Sequence, residues 1–158
     1  MRIPYEITIA FCFLAGCGSE PKPAAEPPVA QKTEPARPRD ESNRFPKSDL
    51  ADTKVVNDHL MGKAFMPGGT VVHYKKGKLE YDMFATKLPS ATDAAILLPD
   101  WRKALTGSKL VPSFGGYYGS DAGHPVFVFT KNAWVAGVVG LPEKDADRQA
   151  RVLAAALD

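Results

Sequence analysis

Apolar and polar residues divide the chain into three unequal stretches. Ile7 to Ala15 is a short, nearly continuous apolar run. Gly18 to Lys47 carries almost no large apolar residue before Phe45, and from Ser48 onward apolar positions recur with helical and strand periods. Only the third stretch, about 110 residues, is long enough to build one compact core. At its start Leu50, Val55, Val56 and Leu60 recur at helical spacing with Ser48 available as N-cap, which predicts a helix over 48–61. Met66-Pro67-Gly68-Gly69 then predicts a turn. The segments 70–74 and 79–88 predict two strands joined at Lys75-Lys76-Gly77-Lys78; in the second, Tyr81, Met83 and Ala85 alternate with Glu80, Asp82 and Phe84.

Ser90-Ala91-Thr92-Asp93 resembles a capping box. The helix it opens places Ala94, Leu97, Leu98, Trp101 and Leu105 on one stripe, with a kink expected at Pro99. A third strand is predicted over 110–118, and a fourth and fifth over 124–130 and 134–141, the last two joined at Lys131-Asn132, where Asn tolerates positive φ. Pro142 opens a final helix over 143–157. Glu143 and Asp145 suit its dipole, and Ala146, Ala150, Leu153 and Leu157 form its apolar face. The order helix-ββ-helix-βββ-helix predicts an α+β domain, an antiparallel sheet of about five strands with helices packed mainly on one face. Val126-Phe127-Val128-Phe129 is apolar on both faces, as in a central strand. The face away from the helices would then need cover from the leading helix, the Trp134 hairpin or a partner.

The N-terminal run is too short to cross a membrane, which takes about 17–25 apolar residues, but fits the roughly 7–15 of a signal-peptide core preceded by Arg2. It closes with Leu14-Ala15-Gly16-Cys17, which resembles the lipobox of bacterial lipoproteins. The resemblance implies a signal peptide over 1–16, diacylglycerol on the Cys17 sulfur, cleavage before Cys17 and a further acyl chain, such as palmitate, on the new amino terminus. Two or more chains anchor stably where one binds only reversibly. Gly18 stands where an aspartate is associated with inner-membrane retention in enterobacterial lipoproteins, so the periplasmic face of the outer membrane is the expected address. Residues 17–47, rich in Pro, Ala and mixed charge, are expected to form a disordered or polyproline-like tether of about thirty residues ahead of a domain over 48–158.

Composition narrows the chemistry. With Cys12 removed in the signal peptide and Cys17 acylated, the mature chain would hold no free thiol, which excludes cysteine nucleophiles and thiolate metal sites. The net charge of +2 leaves no electrostatic footprint for nucleic acid. His59, His73 and His124 have no paired spacing for metal ligation, and Ser90, Ser113 and Ser120 lie in no nucleophile elbow. Glu80 and Asp82 share a strand face, which reads as a charge-balanced surface beside Lys75, Lys76 and Lys78. Thr106-Gly107-Ser108-Lys109 lacks the upstream glycines of a phosphate loop. No catalytic residue, metal site or cofactor is therefore assigned. The stretch 114–123 combines glycines with Tyr117 and Tyr118, which would point to opposite faces if extended. Together with Trp134 they are the expected contacts for an envelope protein, glycan or lipid. The expected function is a membrane-anchored binding or scaffold module. The competing expectation is an envelope hydrolase or enzyme-regulating domain using residues such as His124 and Asp121.

Overall fold

A computed structural model describes residues 38–158. The apolar run, Cys17 and most of the Pro-rich stretch lie outside the described residues. The elements are β1 (Leu50–Asp58), β2 (Pro67–Lys76), β3 (Leu79–Lys87), α1 (Ala91–Ala104), β4 (Thr106–Val111), β5 (Gly116–Asp121), β6 (His124–Lys131), β7 (Trp134–Val139) and α2 (Glu143–Ala155), with short 3-10 turns at Ser42–Arg44 and Leu60–Gly62. The seven strands form one antiparallel sheet in the order β1-β2-β3-β7-β6-β5-β4.

Successive side chains of a strand point to opposite faces, and through the middle of this sheet both faces are apolar. On one, Met83, Ala85, Phe127, Phe129, Ala136 and Val138 pack with Ala146, Ala150, Leu153 and Leu157 from α2 and the residues after it. On the other, Phe84, Val126, Val128 and Val135 pack with Ala94, Trp101 and Leu105 from α1 and its end. The two helices therefore lie on opposite faces. This corrects the expectation of about five strands with the helices mainly on one face. The doubly apolar run in β6 is the visible cause: Val126 and Val128 meet the α1 side, Phe127 and Phe129 the α2 side, and the chain covers both itself.

Two local differences account for the strand count. The segment expected to open with a helix forms β1, where β-branched Thr53, Val55 and Val56 pair with Val72, Thr70 and Gly69 of β2. Left-handed backbone at Asp49 (φ 63°), His59 (φ 52°) and Met61 (φ 57°) interrupts any helix on either side. The single strand expected over 110–118 is two. The chain reverses after β4, with the Phe114 and Gly115 amides both donating to the Val111 carbonyl (3.1 and 2.9 Å) and Gly115 at φ 72°. The expected helix at 91 does form. The Ser90 hydroxyl accepts from the Asp93 amide (3.1 Å) and donates to the Asp93 carboxylate (2.7 Å). α1 runs on through Pro99, which is exposed together with Ala95, so the carbonyl that loses its amide donor faces water.

Irregular segments cover what the helices leave open. On the α1 face, the β1–β2 connection (59–66) buries Leu60 and Met66. On the α2 face, residues 39–47 run as a strap. Phe45 is 2% exposed within the core, the Tyr74 hydroxyl donates to the Pro46 carbonyl (2.8 Å), and Arg44 donates to the Ala156 carbonyl (3.2 Å). Packing thus begins ahead of Ser48, where the domain was expected to start.

Candidate functional site

A cleft of about 270 Å³ opens on the α1 face between the 59–66 loop and the β5–β6 turn. Its apolar floor is Trp101, Val126 and Val139, and its walls carry Met61, Asp82, Asp121, Ala122 and His124. The floor is rigid because Trp101 is held on three sides. Its ring stacks on Phe84 (centroids 5.4 Å), receives the edge of Phe65 (5.7 Å), and its indole N–H points at the Met66 sulfur (3.1 Å). Gly137 makes room for this arrangement. A Cβ there would lie 2.5 Å from Phe84 Cζ, so only glycine lets the Phe84 ring settle against β7 beneath Trp101.

The polar wall comes from three strands. Asp121 closes β5 and His124 opens β6, and the two are direct partners across a two-residue turn. Both turn residues have positive φ (Ala122 48°, Gly123 87°), the backbone of a type I′ hairpin, and Ala122 is the strained member. Lys63 reaches from the 59–66 loop to Asp121 (Nζ to Oδ1 2.7 Å) and sets its ammonium 5.9 Å from the Trp101 ring centroid. That half-buried pair ties the loop to the hairpin across the cleft. On β3, Asp82 meets His73 of β2 (2.6 Å). Glu80, on the same face, pairs instead with Lys75, whose hydrogen bond and then whose charge hold the Glu80 carboxyl below its ordinary range. Glu80 and Asp82 therefore each meet a separate partner across the β2–β3 pair and form no acid–base dyad.

The residues singled out from the sequence are dispersed. Tyr117 and Tyr118 do point to opposite faces. Tyr117 lies on the α1 face with the Arg102 guanidinium 5.7 Å from its ring, and Tyr118 on the α2 face with its hydroxyl donating to the Leu141 carbonyl (3.3 Å). Trp134 is fully buried, its indole N–H donating to the Asp158 carbonyl (2.8 Å), and it offers no contact surface. The three do not form one patch. His124 and Asp121, by contrast, are brought into one cleft. Lys63 and Met61 were not legible as site residues, because no spacing in the sequence says that the β1–β2 connection crosses the sheet to reach the β5–β6 turn. Among the described residues no three His, Cys, Asp or Glu side chains converge on a metal-binding geometry. A larger, more open hollow of about 500 Å³ between Phe65, Pro67, Leu88 and Ile96 has Asp93 as its one charged side chain, so it lacks the convergent polar groups that orient a ligand.

An antiparallel seven-stranded sheet between two helices, with a mixed apolar and charged cleft on one face, is the architecture that defines this domain. No protein-family model matches the chain, and no curated protein matches it. Among solved structures, the chain is similar to one described as a GTP binding regulator from Thermotoga maritima, with a TM-score of 0.53 and 12% identity over 73% of this chain and 82% of that one. At that identity the likeness is one of fold.

Proposed function

We propose that this protein is a bacterial envelope lipoprotein, anchored through acyl chains on Cys17, whose domain is a binding module displayed off the membrane. The observation that carries the reading is Leu14-Ala15-Gly16-Cys17 directly after a short apolar run. The strap sharpens it. With packing established from residue 39, the spacer is the twenty-one residues 18–38, which cannot reach beyond about 75 Å even fully extended. Gly18 after the cysteine supports the periplasmic face of the outer membrane. The α1-face cleft is the proposed ligand site, since its apolar floor and charged rim suit a small amphipathic group of a protein, glycan or lipid partner.

Asp121 and His124 facing one cleft favour a second reading, an enzyme or enzyme-regulating domain in which that pair handles a proton. A GTP-linked role draws no support from this chain. Thr106-Gly107-Ser108-Lys109 lies at the start of edge strand β4, with a register shift, and opens no helix that could cradle a phosphate. Mass spectrometry of the membrane fraction tests the anchor. An acylated N-terminal Cys17, with a Cys17→Ser chain released from membranes, is expected; an unmodified Cys17 overturns the reading.

A further inference from the structure

β1 is one edge of the sheet, and among the described residues no strand pairs with its outer side. The two edges differ. β4 is six residues long with a register shift between Thr106 and Lys109 and a left-handed Gly107, which blunts it. β1 is nine residues long, and after a shift between Leu50 and Asp52 its pairing with β2 is regular through Asp58. Lys54 and Asp58 point to the α1 face of this open edge, as does Val56 between them. Lys54 makes no ion pair among the described residues, and Asp58 has only His59 nearby (3.6 Å), its side chain 78% exposed.

We propose that β1 pairs antiparallel with β1 of a second copy of this chain, with Val56 on the two-fold axis, joining the two sheets into one. Symmetry and charge together choose the register. A two-fold perpendicular to the sheet keeps each face continuous, so the axis must fall on a residue. Within the regular segment 52–58, axes at positions 54, 55 and 56 leave at least five residues of each strand overlapped. An axis at Lys54 sets that ammonium against its own copy, and an axis at Val55 sets Asp52 against Asp58 twice. Like charges directly opposite destabilise a pair of strands. An axis at Val56 sets Lys54 against Asp58 twice, Val56 against Val56, and the exposed Val55 against Asn57. The occupant is a second copy because Lys54 and Asp58 stand symmetrically about Val56, the placement that self-pairing demands. Against other strands the same charges deter pairing.

The test uses the full-length chain in detergent and stands apart from the lipid-anchor reading. Val56→Cys is expected to form a disulfide dimer under mild oxidation. Thr53→Cys, about 20 Å from its copy in this register, is not. The unsubstituted chain controls for Cys12 and Cys17. Asp58→Lys, its fold checked by circular dichroism, is expected to weaken dimerisation about tenfold or more, and Lys54→Asp/Asp58→Lys to restore it. A wild-type chain that is monomeric by light scattering at every concentration overturns the proposal. So does equal crosslinking at 53 and 56, or a double swap that fails to rescue.

Discussion

The strap supplies the sharpest test of how the domain is held. Phe45 is 2% exposed and packs among the side chains of the α2 face, and the segment carrying it is pinned by three further contacts. The Glu41 amide donates to Thr70 Oγ1 (3.1 Å), Arg44 to the Ala156 carbonyl (3.2 Å), and the Tyr74 hydroxyl to the Pro46 carbonyl (2.8 Å). Truncating a buried Phe to Ala costs about 3–5 kcal/mol where the surroundings cannot collapse. The strap is continuous with the body at one end only within the described residues, so it can peel away and cap the loss at its own docking energy. We expect about 3 kcal/mol for Phe45→Ala. With a urea dependence of about 2 kcal/mol per molar, the midpoint followed through Trp101 and Trp134 fluorescence should fall by about 1.5 M. Tyr74→Phe removes one hydrogen bond and should cost about 1 kcal/mol. Because both act through the strap, the double variant should lose less than the sum. A loss below about 1 kcal/mol for Phe45→Ala, or strict additivity with Tyr74→Phe, refutes the view that this segment closes the α2 face.

Gly137→Ala should destabilise by about 3 kcal/mol, near the upper end for overpacking, because the new methyl meets Phe84 at 2.5 Å and the Phe127 carbonyl at 2.6 Å. A thermal melt should fall by about 10 °C, with Phe84→Leu in the same chain recovering part of it. Alkaline stability follows from two tyrosines stacked at 4.9 Å. Burial, then the neighbouring Tyr81, pushes the Tyr74 phenol well above its ordinary range, and burial, then the Asp49 charge, raises Tyr81. A raised phenol contributes stability that is whole below its unfolded value near pH 10 and is lost as pH rises through the folded one. Unfolding free energy should therefore decline above about pH 10, and Tyr74→Phe should flatten the decline; an unchanged slope counts against the burial argument.

Several single elements were legible where local chemistry and packing agree, but the strand count and the faces on which the helices pack were not. Gly77 allows the β2–β3 turn, Ser90 and Asp93 cap α1, and the spacing of Ala146, Ala150, Leu153 and Leu157 marks α2 and its end. The misread places have two causes, a competition of periods over 48–61 and an unrecognised reversal at Gly115. Leu50, Val55, Val56 and Leu60 fit a helical stripe, while Thr53, Val55 and Val56 are the β-branched residues that a strand prefers, and pairing with β2 decided it. Over 110–118 the strand residues are real, but Gly115 at φ 72° folds them back on themselves. That reversal adds a strand and carries β5 to where Tyr117 and Tyr118 divide between the two faces.

The site was less legible, for a reason the α1 face makes plain. Asp121 and His124 stand three apart in sequence and could be paired from a turn signal at Ala122-Gly123. Lys63 is 58 residues from Asp121, and Asp82 lies on a different strand again. What brings Lys63 over the sheet is the anchoring of Leu60 and Met66 into the α1-face core, and the left-handed Met61 (φ 57°) and Gly62 (φ 71°) between them break any regular helical or strand pattern. The place of Lys63 at the cleft is thus a consequence of how an irregular loop buries two apolar side chains, so pattern reading finds the loop as a gap between elements. Removing the tie should show the dependence directly. With Leu60 and Met66 intact, the loop keeps its packing when Lys63 loses its charge, whereas losing Leu60 displaces the loop and opens the cleft together.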